Sequence, residues 1–305
     1  MHIAFIGFGE AARAFCDSLR AHDGALEFSA YDILLDRENR DGACAQAMRE
    51  RSVHLCTAPR EAAAQGDWII SAVTADQSLA AAEAVSPHVK SGQLFFDINS
   101  VSPERKRQTA ALVERNGALY VDMAVMAPVH PRGHRTPVLV AGAMSEAHRE
   151  RLRDLEFDFD FVGEEVGAAT SVKMVRSLFV KGLEAISVEV VLAAAASGCL
   201  DRVLSSLSRS YPGLNMSQLA LYNMERMRKH GARRAAEMRE STATLDQLGL
   251  TGDLGRAIAA LHELMGALPE DGAALGDLDE AARRLLALRL AEHRKDQDPS
   301  LEPLG

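Results

Sequence analysis

Two groups of residues in this 305-residue chain have the types and spacing of reactive machinery. The first lies past the midpoint, where Lys173, Arg176 and Ser177 stand at i, i+3 and i+4 in a run of helix formers, so that one helix face carries all three. Their neighbours Val172, Met174, Val175 and Leu178 are apolar. An amine partly removed from water has its pKa lowered toward the range of a general acid or base. The same composition also describes a lysine that lays its stem on apolar surface and keeps its ammonium in water. The second group opens the chain. Gly7-Phe8-Gly9-Glu10-Ala11-Ala12 has the G-x-G-x-x-G/A spacing of a dinucleotide-binding turn. Gly7 permits the tight turn, Gly9 lets backbone approach a pyrophosphate, and Ala12 lets the following helix pack closely. Asp32 stands where an acid is expected to accept from the ribose hydroxyls.

These residues need a scaffold that brings them to one edge. The unbroken apolar run Ile3 to Ile6 is a strand buried on both faces, and a helix from about Glu10 to Ala21 turns its free N–H groups toward the phosphates. Further strands follow at Leu26–Tyr31, Val53–Cys56, Trp68–Val73 and Gln93–Ile98, with helices over 36–51, after Pro59 and over 76–85. That alternation implies parallel pairing. Val73 and Thr74 then lie at a strand's carboxyl end, the binding edge of an open α/β sheet. Asn99 and Ser100 sit in the next strand-to-helix turn, ahead of Ser102 as N-cap and Pro103 as first helical residue. Ligand contact and plain turn chemistry are both open to them. Strands at 118–122 and 137–141 flank a loop over 126–135 that contains Met126, Ala127, His130, Arg132, His134 and Arg135. Such loops on rigid sheets often hold substrates. Pro131 and Gly133 preclude the helix that would align the two histidines, so no metal pair is expected, whereas Arg132 or Arg135 could contact an anion or simply be solvated.

A helix over 145–155 and a strand over 157–162 complete a first domain, residues 1–164. The stretch 168–197 lacks proline and forms one long helix. It enters a second domain, 165–295, whose remaining helices span 201–209, 215–230, 232–248, 253–268 and 278–293, with Gly231 taken as a break. The polar tail 296–305 is expected to be disordered. The fold class is therefore α/β: an N-terminal Rossmann-type doubly wound sheet, then an all-α C-terminal domain entered by a long interdomain helix. A net charge of −9 argues against a nucleic-acid partner. No apolar run reaches the ~20 residues of a membrane span, and with a first strand from residue 2 no signal peptide is expected. Four cysteines without C-x-x-C or zinc-type spacing imply reduced thiols, a cytoplasmic location and no metal.

Three segments together resemble the β-hydroxyacid dehydrogenase family: Gly7-x-Gly9-x-x-Ala12, Asp97-x-x-Ser100-x-x-Pro103, and Val166-Gly-Ala-Ala-Thr-Ser-Val-Lys173 before a long helix. That family includes 3-hydroxyisobutyrate dehydrogenase and is related to 6-phosphogluconate dehydrogenase. The likeness covers residues 1 to about 200, and the later helices agree in class. It implies that Lys173 is the catalytic acid/base, that Ser100 touches a nicotinamide cofactor, and that the chain pairs into a homodimer through its helical domain. Lys173-Met-Val-Arg-Ser177 and Arg233-Arg-Ala-Ala-Glu-Met238 resemble segments of a bacterial branch of oxidoreductases. Two departures point to an altered substrate. Asp122-Met-Ala-Val-Met-Ala-Pro128 replaces the D-A-P-V-S-G-G loop, so Met126 and Ala127 stand where the family presents carboxylate donors, and Arg176 and Ser177 replace the asparagine that follows the lysine. In the basic stretch 226–234, His230 or Arg234 could reach the substrate, or the stretch is a solvated face. The negative charge of Asp32 favours NAD over NADP, although Arg37 is near. The expected function is an NAD(P)-dependent dehydrogenase or reductase for a small hydroxy acid or its carbonyl counterpart. Imine reduction, or NAD(H) binding without turnover, are the alternatives.

Overall fold

The first strand, β1 (His2–Ile6), sends Ile3 and Phe5 to one side and Ala4 and Ile6 to the other, and all four are buried. This explains why its sequence shows no polar alternation: helices cover both faces. In this computed structural model, which describes residues 1–37, 41–269 and 275–297, with side chains to 294, eight strands form one sheet. The others are β2 (Glu27–Tyr31), β3 (His54–Leu55), β4 (Trp68–Ser71), β5 (Leu94–Asp97), β6 (Leu119–Val125), β7 (Val138–Ala141) and β8 (Phe159–Gly163). Their order is β3-β2-β1-β4-β5-β6-β7-β8, which places the reversal of winding between β1 and β4. In such sheets a ligand crevice opens beyond the carboxyl ends at that point.

Helices α1 (Glu10–His22), α3 (Ala43–Glu50) and α7 (Glu146–Asp154) supply buried residues to the face of Phe5. Helices α4 (Pro59–Gln65), α5 (Ser78–Val85) and α6 (Pro103–Glu114) supply them to the face of Ala4. A short helix, α2 (Leu34–Arg37), opens the stretch expected to form one helix over 36–51, so that stretch holds α2 and α3, with 38–40 outside the described residues. All pairings are parallel except that of β6 with β7, which is antiparallel. That one antiparallel pairing has a physical reason. A parallel return needs a crossover, and the 126–137 connection contains only a 3-10 turn at Gly133–Arg135.

The chain divides into two compact units, Met1–Val175 and the remainder from Arg176. The division falls about two turns into α8 (Ala168–Ala196), the long helix that the sequence predicts. Beyond it lie α9 (Leu200–Ser210), α10 (Met216–Gln247), α11 (Asp253–Ala267) and α12 (Leu278–Gln297). Val188, Met224, Met227, Met265 and Leu285 centre the helical core. The expected break at Gly231 is absent, and α10 runs straight through it. A Cβ on Gly231 would lie 2.3 Å from the His262 carbonyl oxygen and 2.6 Å from the Gly266 α-carbon. The glycine thus serves a backbone-to-backbone helix contact. Of the tail over 296–305, residues 296 and 297 end α12 and the rest lie outside the described residues. No helix among the described residues is long and apolar enough to cross a membrane.

Candidate active site

The glycine turn is pinned between two strand ends. Gly7 has φ +86°, and a Cβ there would lie 2.5 Å from the Ala72 carbonyl oxygen, so only glycine fits. Its N–H donates to the Tyr31 carbonyl at 2.8 Å. Phe8 is fully buried against Phe5, and Ala12 is fully buried on the sheet. Gly9 differs from both. It is exposed, it opens α1 without a side-chain cap, and a Cβ on it would meet nothing within 4 Å. Glu10 is exposed and Ala11 half-buried in the first turn. Asp32 closes this corner, accepting from the Phe8 N–H at 2.7 Å and the Leu34 N–H at 3.0 Å. A helix start with no side-chain cap, open space beside Gly9 and a carboxylate fixed at the end of β2 are features that could hold a dinucleotide, the α1 amides its pyrophosphate and Asp32 its ribose.

Beyond the next two strands, Asn99 proves to be a buried staple. Its side-chain oxygen accepts from the Val73 N–H at 2.7 Å, its amide nitrogen donates to Ser71 Oγ at 2.9 Å, and its own N–H donates to Asp97 Oδ1 at 2.9 Å. Thr74 is exposed and begins a 3-10 turn. Ser100 is only partly buried, and its Oγ accepts from Lys173 Nζ at 2.5 Å, joining two residues 73 positions apart. Amine and hydroxyl therefore meet at the carboxyl end of β5, the edge at which an α/β sheet binds its ligand.

Beneath this pair is a group of charges to which sequence reasoning gives no role. Lys106, Asp97 and Asp122 are each wholly inaccessible. Lys106 Nζ donates to the Asp97 carbonyl at 2.6 Å and lies 3.1 Å from Asp97 Oδ1 and 3.4 Å from Asp122 Oδ1. Tyr120 donates its hydroxyl to Asp97 Oδ2 at 2.7 Å. Burial, then the charges of Asp97 and Asp122, push the Tyr120 pKa well above its ordinary value, which keeps that donor protonated. Asp122 accepts from the Thr170 N–H at 3.0 Å and the Thr170 hydroxyl at 2.8 Å, so it caps the opening of α8. A signal was present in the sequence. Pro103, Lys106, Thr109, Ala110 and Val113 recur at helical spacing and are the buried face of α6, yet Lys106 stands between Arg105 and Arg107 and passes for solvated charge.

The loop candidates take other partners. Met126 packs on Ala124, Ala141 and Ala169, while Ala127 is exposed. Arg132 pairs with Asp158 at 3.0 Å and Arg135 with Glu156. His134 is buried, with ring nitrogens 2.8 Å from Ser18 Oγ and 2.7 Å from the Leu155 carbonyl, and burial lowers its pKa to about 4. Elsewhere His54, Cys56 and Glu61 gather within 4.8 Å. Burial holds the Cys56 thiol up at about 11, and Glu61 already accepts from the Thr57 N–H at 2.6 Å and contacts His54 at 3.1 Å, so the trio is self-satisfied rather than poised for an ion. In the helical unit Arg176 is exposed, Ser177 buried and His230 half-buried. Arg234 is buried and forks onto Glu184, with Nε 2.7 Å from Oε2.

Residues 2–154 match the NAD binding domain of 6-phosphogluconate dehydrogenase, and residues 194–265 match a domain of unknown function, DUF1932. A conserved hypothetical protein from Sinorhizobium meliloti 1021 is 32% identical, with a TM-score of 0.75 over 95% of this chain and 96% of that one. A conserved protein of unknown function, described as structurally similar to 3-hydroxyacid dehydrogenases, is 26% identical with a TM-score of 0.70, over 94% and 99% of the two chains. Mitochondrial 3-hydroxyisobutyrate dehydrogenase of Mus musculus is 26% identical over 183 residues, which are 58% of this chain and 52% of the mouse protein.

Proposed function

The chain belongs to the β-hydroxyacid dehydrogenase family, and from that premise we propose that it passes hydride between a nicotinamide cofactor and a small hydroxy acid or its carbonyl counterpart, with Lys173 as general acid/base. The observation that carries this reading is the 2.5 Å contact from Lys173 Nζ to Ser100 Oγ. The cofactor supplies or accepts the hydride. Lys173 handles the matching proton: in the oxidative direction its neutral amine takes the proton from the substrate hydroxyl as the carbon becomes a carbonyl, and in reduction its ammonium returns one. Ser100, accepting from the amine, keeps its own O–H free to donate to whatever lies beside it. Met126 and Ala127 replace the family's carboxylate donors and favour a substrate held differently from a simple 3-hydroxy acid. Arg132, in the sheet unit, completes the substrate-side assignment. The carboxylate of Asp32 would repel a 2′-phosphate, so NAD is the proposed cofactor. A homodimer formed through the helical unit belongs to the same reading.

A screen of hydroxy acids, keto acids and imines with NAD(H) and NADP(H), followed at the nicotinamide absorbance, tests the assignment. Lys173→Ala should lower kcat by about 10²- to 10⁴-fold with cofactor affinity unchanged. Turnover that survives this change removes the lysine from the mechanism, reduction confined to imines moves the chain to the imine-reductase class, and a higher kcat/KM with NADP overturns the Asp32 argument.

A further inference from the structure

We propose that the buried Asp97–Lys106–Asp122 cluster is a positioning device: it locks the turn that carries Ser100 to the first turns of the helix that carries Lys173, and so sets the contact between amine and hydroxyl. The catalytic consequence rests on the function proposed above, whereas the geometry does not. The bonds form a closed ring. Asp97 accepts from the N–H of Asn99, the residue before Ser100. Lys106 bridges Asp97 and Asp122. Asp122 takes both the N–H and the hydroxyl of Thr170, one helical turn before Lys173, and Lys173 returns to Ser100.

Two features separate this arrangement from a cluster that only stabilises the core. First, charges are a poor way to fill a core, since a buried ion pair exchanged for apolar side chains of like volume is often neutral or stabilising. Second, each carboxylate accepts a backbone N–H of a segment that carries a site residue, Asn99 next to Ser100 and Thr170 one turn before Lys173, and a backbone N–H fixes a segment's position in a way that apolar packing does not. The cluster has one ammonium for two carboxylates, and its negative excess lies where Asp122 meets the positive end of α8. Strand β6 thereby specifies where the helix starts, and β5 where the turn ends.

The test reads Lys173 itself and needs no substrate. The chain has six lysines, so reductive ¹³C-dimethylation of the whole protein yields few signals, and Lys173→Arg identifies the one from Lys173. Thr170→Val removes one of the two Asp122 contacts, Thr170→Ser keeps it, and Asp122→Asn removes the charge. The Lys173 resonance should move toward that of exposed Lys229 in Thr170→Val and Asp122→Asn and hold its wild-type position in Thr170→Ser. As a control for general destabilisation, Ser18→Ala, which strips the contact of buried His134, should leave it in place. With a substrate identified, Thr170→Val should lower kcat by about tenfold to a hundredfold at constant cofactor affinity. An unmoved Lys173 signal in Thr170→Val overturns the proposal whatever the turnover, and that variant decides the matter should Asp122→Asn fail to fold. Conversely, a moved signal in a protein whose Lys173→Ala variant still turns over keeps the device and discards the acid/base role.

Discussion

Each unit of this chain hides a group of charges from water, and the two groups are built differently. In the sheet unit one ammonium, Lys106, serves two carboxylates, and the contacts continue to backbone at Asp97, Asn99 and Thr170. In the helical unit one carboxylate, Glu184, receives the guanidinium fork of Arg234 and lies 3.3 Å from Arg226, while Lys181 pairs with Glu237 at 3.1 Å. There the main contacts join side chain to side chain across α8 and α10. Burial lowers the Lys181 pKa, with Glu237 opposing. The first arrangement fixes backbone segments that border a candidate site, and the second fixes which helices lie together. The first network ends on backbone next to Ser100 and one turn before Lys173, and the second joins side chains of α8 and α10.

The comparison breaks most visibly at its cations. Lys106→Met strands Asp97 and Asp122, both wholly buried, and should cost the sheet unit about 3–5 kcal/mol. Trp68, the single tryptophan, lies in β4 and reports that loss as a lower urea midpoint. Lys181→Met leaves Glu237, which retains partial contact with water, and should cost about 1 kcal/mol by the circular dichroism of the helices. Equal losses in the two variants would erase the distinction.

Acid should strain both units through one histidine each. His134 in the sheet unit and His262 in the helical unit are fully buried, and burial lowers both pKa values to about 4. Each is neutral in the fold and titrates near 6.5 when unfolded, so the unfolded chain binds the extra proton between those values. The contribution of each is whole above pH 6.5, declines as pH falls toward 4, and amounts at most to about 3 kcal/mol. Stability measured from pH 7 to 5 should fall, and His134→Gln should flatten the Trp68-monitored slope, His262→Gln the helical one. An unchanged slope in either variant would assign that unit's acid sensitivity to its carboxylates.

The same contrast explains what was legible in the sequence. Gly7, Ala12, Asp32 and the Lys173 helix follow local rules of turn, spacing and period, and the structure joins Gly7 to Tyr31, Phe8 to Asp32, and Lys173 to Ser100. Lys106 is illegible in the sequence because local charge conceals a residue whose helical period faces inward. The antiparallel β7 turned on the absence of a crossover, a matter of connection rather than composition. Gly231 reads as a break because a glycine that admits a neighbouring backbone and one that ends a helix are identical in one dimension.

Glycines provide a finer probe of the comparison. Gly231→Ala drives a methyl into the His262 carbonyl and should destabilise the helical unit by about 1–3 kcal/mol, seen in its thermal midpoint. Gly9→Ala meets nothing in the protein and should leave stability within about 0.5 kcal/mol while weakening NAD(H) binding about tenfold or more, measured by fluorescence titration. Unimpaired binding in Gly9→Ala would mean that the open space beside α1 is not where the pyrophosphate lies.

Arg132→Gln should have the smallest effect on stability, and it is informative for that reason. Arg132 and Asp158 are each about half exposed, 53% and 52%, at 3.0 Å, so solvent screens their attraction and the pair is worth about 0–1 kcal/mol. A urea midpoint within error of wild type is therefore the expected result, and any functional change can be attributed to the lost charge rather than to a loosened fold. The guanidinium reaches a bound anion only by leaving Asp158, a step that this exposure makes inexpensive. If Arg132 holds the substrate, KM should rise severalfold with kcat and cofactor affinity unchanged, and Asp158→Asn, which releases the same guanidinium, should lower KM. An unchanged KM in both variants assigns Arg132 to the surface and leaves anion recognition to the residues around Lys173.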